Sequence, residues 1–150
     1  MIRIICIGNR YLDLDASGPM VFDYLADEKV PEHIEVIDGG LAGLNLLGLV
    51  DGARRVVFVD AVSGYGDDVV VLGPEDLPLP EKVYDHAAGL PYLIHVLHDV
   101  CNEVPPEIFL VGIEGKPGAY TVARAARLCV EIARDGMSAS GASVSMRRNQ

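Results

Sequence analysis

Residues 54–62, RRVVFVDAV, decide the fold of this chain. Their apolar run, residues 56–59, is followed directly by a carboxylate, Asp60. A continuous, β-branched run of this kind is typical of a strand that is buried on both faces of a parallel sheet. Residues 2–8 and 107–113 have the same character. Open α/β sheets bind ligands at the carboxyl ends of their strands, so Asp60 lies where a functional site is expected.

Helical segments alternate with these strands and with two shorter runs, residues 33–37 and 68–72, which are expected near the sheet edges. Apolar spacing predicts four helices, at residues 18–25, 41–49, 90–101 and 121–135. Thr121 is the predicted N-cap of the last helix, and Gly136 is its predicted stop. The alternation predicts an α/β domain with three layers, in which helices flank one sheet.

One connection predicts that the sheet is mixed, although mostly parallel. Only residues 63–67, SGYGD, separate the third strand from the fourth, whereas a parallel crossover needs ~10–12 residues or more. These two strands are therefore predicted to form an antiparallel hairpin. The chain must then return to the carboxyl edge before the third helix, which would bring His86 to the same edge as Asp15 and Asp60.

The composition indicates one ordinary domain with a true core. Half of the 150 residues are apolar, and a chain of this length buries about two-thirds of its unfolded surface. The net charge of −10 argues against nucleic acid as a partner. No segment approaches the ~20 apolar residues that a membrane span requires. We assign one domain to residues 1–137 and a disordered tail to residues 138–150.

The three cysteines, Cys6, Cys101 and Cys129, lie far apart and have no CxxC spacing. We interpret them as small buried hydrophobic residues in a reducing compartment. The short apolar start of the chain does not match a signal peptide. We therefore expect a cytoplasmic protein, and we expect it to be a monomer.

Two carboxylates and one imidazole, those of Asp15, Asp60 and His86, form the candidate site. Such a set suits a borderline divalent metal and leaves positions open for a substrate. Asp38, in the segment IDGG, ends the second strand at the same edge. Other interpretations stay open: Asp15 as a helix cap or first-turn acid, Asp38 as an Asx turn, and His86 as an ordinary loop residue. The two histidines of the third predicted helix are weaker competing ligands.

Several other chemistries lack their sequence signals. The chain contains no GxGxxG after its first strand, no GxxxxGK[ST] loop, no GxSxG elbow and no HExxH. No cysteine stands beside a base, so a thiol protease is not expected.

Five segments together carry a family resemblance. They are residues 8–18 (GNRYLDLDASG), 35–47 (EVIDGGLAGLNLL), 59–62 (VDAV), 86–90 (HAAGL) and 109–114 (FLVGIE). In this order and spacing they resemble the hydrogenase maturation endopeptidases, over residues 2–135. The resemblance implies a mixed five-stranded α/β fold. It also implies an endopeptidase that removes the C-terminal extension of the large-subunit precursor of nickel–iron hydrogenases after nickel insertion.

By the same resemblance, Asp15, Asp60 and His86 occupy the family's nickel-recognising positions, and the nickel would arrive with the precursor. Two mechanisms are compatible with it. The metal could polarise the scissile carbonyl and activate a water. Alternatively, nickel could serve only as the feature by which the substrate is recognised, while Asp38 or Asp15 acts as the general base.

Two departures from the family pattern affect the surroundings of the site. The family carries two adjacent acids where this chain has Leu14 and Asp15, and Ala87 replaces a polar residue after the histidine. These departures motivate an alternative function, a non-catalytic binding module or chaperone that holds the precursor or its metal without cleaving it. A small-molecule enzyme that uses the same cleft is a third possibility.

Overall fold

The computed structural model describes residues 1–41, 46–73, 76 and 106–136. Predictions that concern the other residues lie outside the described part of the chain. They include His86, Cys101, the third predicted helix and the tail.

Strands and helices alternate along the described chain, as predicted. The elements, in chain order, are β1 (Ile2–Ile7), α1 (Ser17–Ala26), β2 (Ile34–Gly40), α2 (Leu47–Val50), β3 (Arg55–Val62), β4 (Val69–Leu72), β5 (Glu107–Glu114) and α3 (Ala119–Asp135). A 3-10 turn at Asp13–Asp15 precedes α1. All five predicted strands are confirmed. Of the helix predicted at residues 41–49, Leu46 is in a 3-10 turn and α2 begins at Leu47, whereas Leu41 is not helical.

The five strands form one mixed sheet with the order β2-β1-β3-β5-β4. Strands β2, β1, β3 and β5 are parallel, and β4 is antiparallel to β5. The predicted fold class is confirmed, and so is the position of the two shorter strands at the edges. None of the described helices is long and apolar enough to cross a membrane.

The predicted hairpin between the third and fourth strands is wrong. β5 lies between β3 and β4, and β4 pairs with β5. The short connection excludes a parallel crossover, but it does not require β4 to be the direct neighbour of β3. Two strand spacings are only ~10 Å, and residues 63–68 can span ~20 Å when extended.

Glu114, the last residue of β5, holds this connection in place. Its carboxylate accepts hydrogen bonds from the backbone N–H groups of Gly64, Tyr65 and Gly66, at 3.2, 2.9 and 3.1 Å. These contacts lower the pKa of Glu114, chiefly through the bond from Tyr65. The β3–β4 connection therefore crosses the end of β5 with its backbone donors satisfied by one charged acceptor.

Apolar layers cover both faces of the sheet. α1 and α3 pack on one face, against residues such as Cys6 and Val57. Leu46 and Val50 pack on the other face, against Phe58. Cys6 and Cys129 are buried and free, as predicted. Burial raises the pKa of the Cys6 thiol to about 12, and the negative charges of two nearby aspartates add to this rise.

The ends of α3 confirm one prediction and correct another. The helix ends at Gly136, whose N–H donates to the Ile132 carbonyl at 2.7 Å. The predicted N-cap at Thr121 is wrong, because the helix begins at Ala119. The Thr121 hydroxyl instead donates to Asp68 Oδ2 at 3.3 Å, just before β4. The hydroxyl thus bonds to the residue that precedes β4 and not to the first turn of the helix.

The start of α1 lies directly against the end of β1. A Cβ atom at Gly18 would stand 2.0 Å from the Ile7 carbonyl oxygen, and one at Gly8 would stand 2.2 Å from the Asp15 carbonyl oxygen. The Gly8 N–H also donates to the Gly40 carbonyl of β2 at 2.9 Å. The loop between β1 and α1 is therefore fixed at the carboxyl edge by close backbone contacts. These contacts leave no room for a side chain at Gly8 or Gly18.

We predict that Gly18→Ala lowers the free energy of unfolding by ~3 kcal/mol or more, because rigid backbone must move to admit the methyl group. Chemical denaturation measures the effect. Gly48→Ala is the matched control, since a Cβ atom at Gly48 would meet no neighbour within 4 Å. In a helix that change should be neutral or stabilising by up to ~1 kcal/mol. Equal effects of the two substitutions would contradict the close approach.

A second prediction concerns Glu114. Glu114→Gln should lower the melting temperature at pH 7, because the amide NH₂ group cannot accept hydrogen bonds from backbone donors. Since the pKa of Glu114 is lowered in the folded state, the carboxylate stabilises the fold above its ordinary pKa and loses this effect as the pH falls through the folded value. The difference from wild type should therefore shrink in acid. Glu32→Gln, at an exposed position, is the control and should change little at either pH.

Candidate active site at the carboxyl edge

The candidate residues lie at one edge because the strands that precede them are parallel. Asp15 follows β1, Asp38 lies near the end of β2, and Asp60 lies near the end of β3. In the sheet register, Cys6 of β1 is paired with Asp38 on one side and with Val59 on the other. The end of β1 therefore separates the β2 carboxylate from the β3 carboxylate.

Asp60 is a half-buried carboxylate in the last part of β3. Its Oδ1 atom accepts the N–H of Ala61 at 2.8 Å. Burial raises the pKa of Asp60 to about 7, the bond from Ala61 opposes this rise, and the negative charge of Asp15 adds to it. The protonated form of this carboxyl group is therefore favoured far more than in an exposed aspartate.

Asp15 is held in the 3-10 turn and is turned back towards the end of β1. Its Oδ2 atom accepts the backbone N–H of Asn9 at 3.1 Å. The N-cap residue of α1 is Ala16, no side chain caps the helix, and its first turn contains no acid. Asp15 therefore neither caps α1 nor lies in its first turn, although it is an acid of the 3-10 turn that precedes α1. Its carboxylate organises the loop and lies close enough to Asp60 to affect that group's pKa.

Asp38 has different surroundings. Its Oδ1 atom accepts the Gly40 N–H at 3.2 Å, which confirms the Asx turn. Its Oδ2 atom lies 3.5 Å from Arg10 Nη2, and Arg10 Nη1 also donates to Asp23 of α1 at 3.1 Å. Asp38 is two residues after Val36 in β2 and so lies on the same face of the sheet, the face covered by α1 and α3.

Asp60 belongs to the opposite face of the sheet. It follows Val56 and Phe58 at a spacing of two residues in β3, so it shares their face, which packs in the second apolar layer. The structure therefore brings Asp15 and Asp60 together and places Asp38 apart from them. His86 lies outside the described residues.

The pair formed by Asp15 and Asp60 has the chemistry of a cation site. Two oxygen ligands lie near each other, and the described cations of this edge are engaged elsewhere: Arg10 with Asp23 and Asp38, and Lys116 with Asp13 at 3.6 Å. Within residues 1–41, 46–73, 76 and 106–136, no group of three or more His, Cys, Asp or Glu residues could hold a metal. A metal at this pair would need further ligands from elsewhere, and an imidazole would suit a borderline metal.

Sequence reasoning missed Arg10 and Glu114. Arg10 links the first loop to Asp38 and Asp23, and Glu114 fixes the connection that follows Asp60. No periodic signal marks a long exposed side chain of this kind. Its partner is determined by the lateral order of the strands, which the sequence pattern does not report.

Comparisons with known proteins agree with the family resemblance. A family model described as hydrogenase maturation protease matches residues 20–122. The Hydrogenase 2 maturation protease of Escherichia coli (strain K12) is 27% identical over 118 residues, which cover 75% of this chain and 71% of that protein.

Two solved structures with a similar fold are also hydrogenase maturation enzymes by name. The hydrogenase maturating endopeptidase HybD from E. coli has a TM-score of 0.70, 26% identity and 93% coverage of both chains. The [NiFe] hydrogenase maturation protease HycI from Thermococcus kodakarensis KOD1 has a TM-score of 0.64 and 22% identity, with 89% of this chain and 90% of that chain covered. At that identity the second likeness supports the fold alone.

The raised pKa of Asp60 predicts how stability depends on pH. A folded pKa of about 7 means that the protonated form stabilises the fold below the unfolded pKa, ~3.9, and that this contribution is lost as the pH rises through the folded value. Asp60→Asn keeps the acceptor for Ala61 and removes the charge. At pH 8 it should stabilise the isolated protein by roughly 1–3 kcal/mol, and at pH 4 it should have little effect.

Urea denaturation at the two pH values measures this difference. Asp51→Asn provides the control, since Asp51 is exposed and the change should have similar small effects at both pH values. A loss of stability in Asp60→Asn that is equal at pH 4 and pH 8 would show that the carboxyl group is not under electrostatic strain.

Proposed function

Because the chain belongs to the hydrogenase maturation protease family, we propose that it is the endopeptidase that removes the C-terminal extension from the large-subunit precursor of a nickel–iron hydrogenase. Family membership gives the protein a role in hydrogenase maturation and places it among the peptidases. The precursor as substrate and the dependence on nickel are our proposal. The observation that supports them best is the pair of carboxylates, Asp15 and Asp60, at the carboxyl edge of the sheet.

In this proposal, nickel is the cargo of the precursor and is recognised as part of the substrate. Asp15 and Asp60 would supply carboxylate oxygens to it, and His86 would supply the imidazole. A divalent cation between the two carboxylates would relieve their mutual repulsion, and it would favour the ionised form of Asp60. The pair would thus distinguish a loaded precursor from an empty one by charge.

Asp15 and Asp38 are our candidates for the general base that activates the attacking water. Their positions predict different substrate paths. Asp15 would act beside Asp60, within the cation site. Asp38 lies two strands from Asp60, ~10 Å in the sheet, so a peptide would have to cross the end of β1 to reach both.

The alternative is a binding module that holds the precursor or its metal without cleaving it. One observation favours it: Leu14 occupies the place of an acid in the family pattern, and its side chain is exposed beside Asp15. The second acid of this turn is Asp13 instead, and its carboxylate lies 3.6 Å from Lys116 Nζ. The two functions differ in their product, which makes them separable.

The test is intact mass spectrometry of a purified precursor, nickel-loaded or nickel-free, after incubation with the protein. We expect a defined C-terminal peptide to be lost only from the loaded precursor. Asp60→Asn, Asp15→Asn and His86→Ala should each slow cleavage by ~100-fold or more, whereas Asp51→Asn should not. A large loss in Asp38→Asn with nickel binding retained would identify Asp38 as the base.

Other outcomes decide against parts of the proposal. Stable complex formation without a shortened product would establish the binding module. Equal cleavage of loaded and nickel-free precursor would exclude nickel as the recognised feature. Normal cleavage by both Asp60→Asn and His86→Ala would exclude the proposed site.

A further inference from the structure

The exposed apolar side chains of this protein are concentrated at one end of the molecule. The large hydrophobic residues that are exposed in the described chain are Met1, Tyr11, Leu12, Leu14, Met20, Leu41 and Tyr120. All except Met1 lie in the loops after the parallel strands or in the first turns of α1 and α3. Because those loops and helix starts share the carboxyl edge of the sheet, the exposed apolar residues lie at the same end of the molecule as the candidate site. Scattered exposed hydrophobic residues need no explanation, but a group around one site marks an interaction surface.

The centre of this surface is formed by two neighbouring loops. Tyr11, Leu12 and Leu14 stand in the loop between β1 and α1, and Leu41 directly follows β2. We call these four residues the apolar rim. The two loops are joined by the hydrogen bond from the Gly8 N–H to the Gly40 carbonyl and by the pairing of Arg10 with Asp38.

The rim is exposed although its loop backbone is fixed. Tyr11 is 87% exposed and Leu41 is 65% exposed. The Asn9 side chain accepts the Tyr11 N–H at 3.0 Å, and the Asn9 carbonyl accepts the Leu12 N–H at 3.1 Å. A fixed loop that presents apolar side chains to water loses little conformational entropy when a partner covers it.

The charge around the rim indicates the kind of partner. Acidic side chains lie at or just beyond the strand ends: Asp13, Asp15, Asp38, Asp60, Asp67, Asp68 and Glu114. The described cations of the same end are each already paired with an aspartate: Arg10, Lys116 and Arg124. The field at this end is therefore negative, and it attracts a partner with Lys or Arg beside its apolar residues.

We propose that the apolar rim is the docking surface for an apolar, basic segment of the precursor's C-terminal extension. This inference rests on the proposed function, because the rim lies at the same carboxyl edge as the Asp15 and Asp60 pair at which that function places the substrate. The apolar side chains of the extension cover Tyr11, Leu12 and Leu41, and its basic side chains face the surrounding carboxylates. Docking at the rim adds affinity for the peptide to the recognition of the metal.

The test separates docking from catalysis. Tyr11→Ser and Leu41→Ser change one exposed residue in each loop, so both variants should fold with unchanged melting temperatures. We expect each variant to raise the KM for the nickel-loaded precursor about tenfold with kcat unchanged, since one apolar anchor contributes about this much binding. Ala26→Ser is the control, because Ala26 is exposed but lies at the last turn of α1, at the opposite end of the sheet. It should leave KM within about twofold.

A synthetic peptide with the sequence of the C-terminal extension provides a readout that does not require cleavage. Its Kd for the wild-type protein should rise with salt and should rise about tenfold in Tyr11→Ser. A peptide with Lys and Arg replaced by Glu should not bind. If the precursor is not cleaved but the peptide shows this pattern, the proposed function fails and the docking surface stands.

Three results would overturn the docking surface. The first is normal KM and normal peptide affinity in both rim variants while the precursor is still cleaved. The second is an equal loss in Ala26→Ser, which would show a non-specific effect. The third is a wild-type dimer in analytical ultracentrifugation that Tyr11→Ser converts to monomer with peptide affinity unchanged, which would assign the rim to a second copy of this chain.

Discussion

The contact between the first turn of α1 and the backbone of Ile7 is the constraint on which the site depends. Because no side chain fits between Gly18 and the Ile7 carbonyl, α1 begins close to the end of β1. The intervening loop must then fold tightly over the sheet edge, where Asp15 bonds to the Asn9 N–H. A backbone contact thus sets the position of a carboxylate, and that carboxylate in turn affects Asp60 in the next strand.

Sequence periodicity predicted the elements of this fold but not their full lateral order. Continuous apolar runs report that a strand is covered on both faces, and all of β4 is buried in this way. They do not report which neighbours a strand pairs with. β5 is placed between β3 and β4 because it pairs along its length with β3 and also with β4, and because Glu114 satisfies the donors of the connection that passes over it. Neither contact leaves a local signal, so a hairpin was the simpler prediction.

The candidate site was predictable to the extent that it follows from strand ends. The parallel arrangement brings Asp15 and Asp60 together, as expected for acids that follow neighbouring strands. The separation of Asp38 depends on a finer property, the face to which each strand residue belongs. A register shift between Cys6 and Ile7 and the pairing of Asp38 with Arg10 complete its surroundings. Both are determined by tertiary contacts between loops that sequence spacing does not encode.

Burial and a neighbouring negative charge both disfavour the ionised form of Asp60. Asp60 is partly withdrawn from water beside a second acid, so its ionised form is unfavourable in the isolated protein. A cation bound between the carboxylates would offset this unfavourable free energy, because the negative charge that destabilises the pair would attract it. Among the described residues, no Lys or Arg forms a salt bridge with Asp15 or Asp60. Under the proposed function, the incoming precursor supplies that charge, and the surrounding acidic edge favours a basic segment at the same time. The same negative charges would then attract both the metal and the peptide. The rim and the carboxylate pair should therefore bind the precursor together.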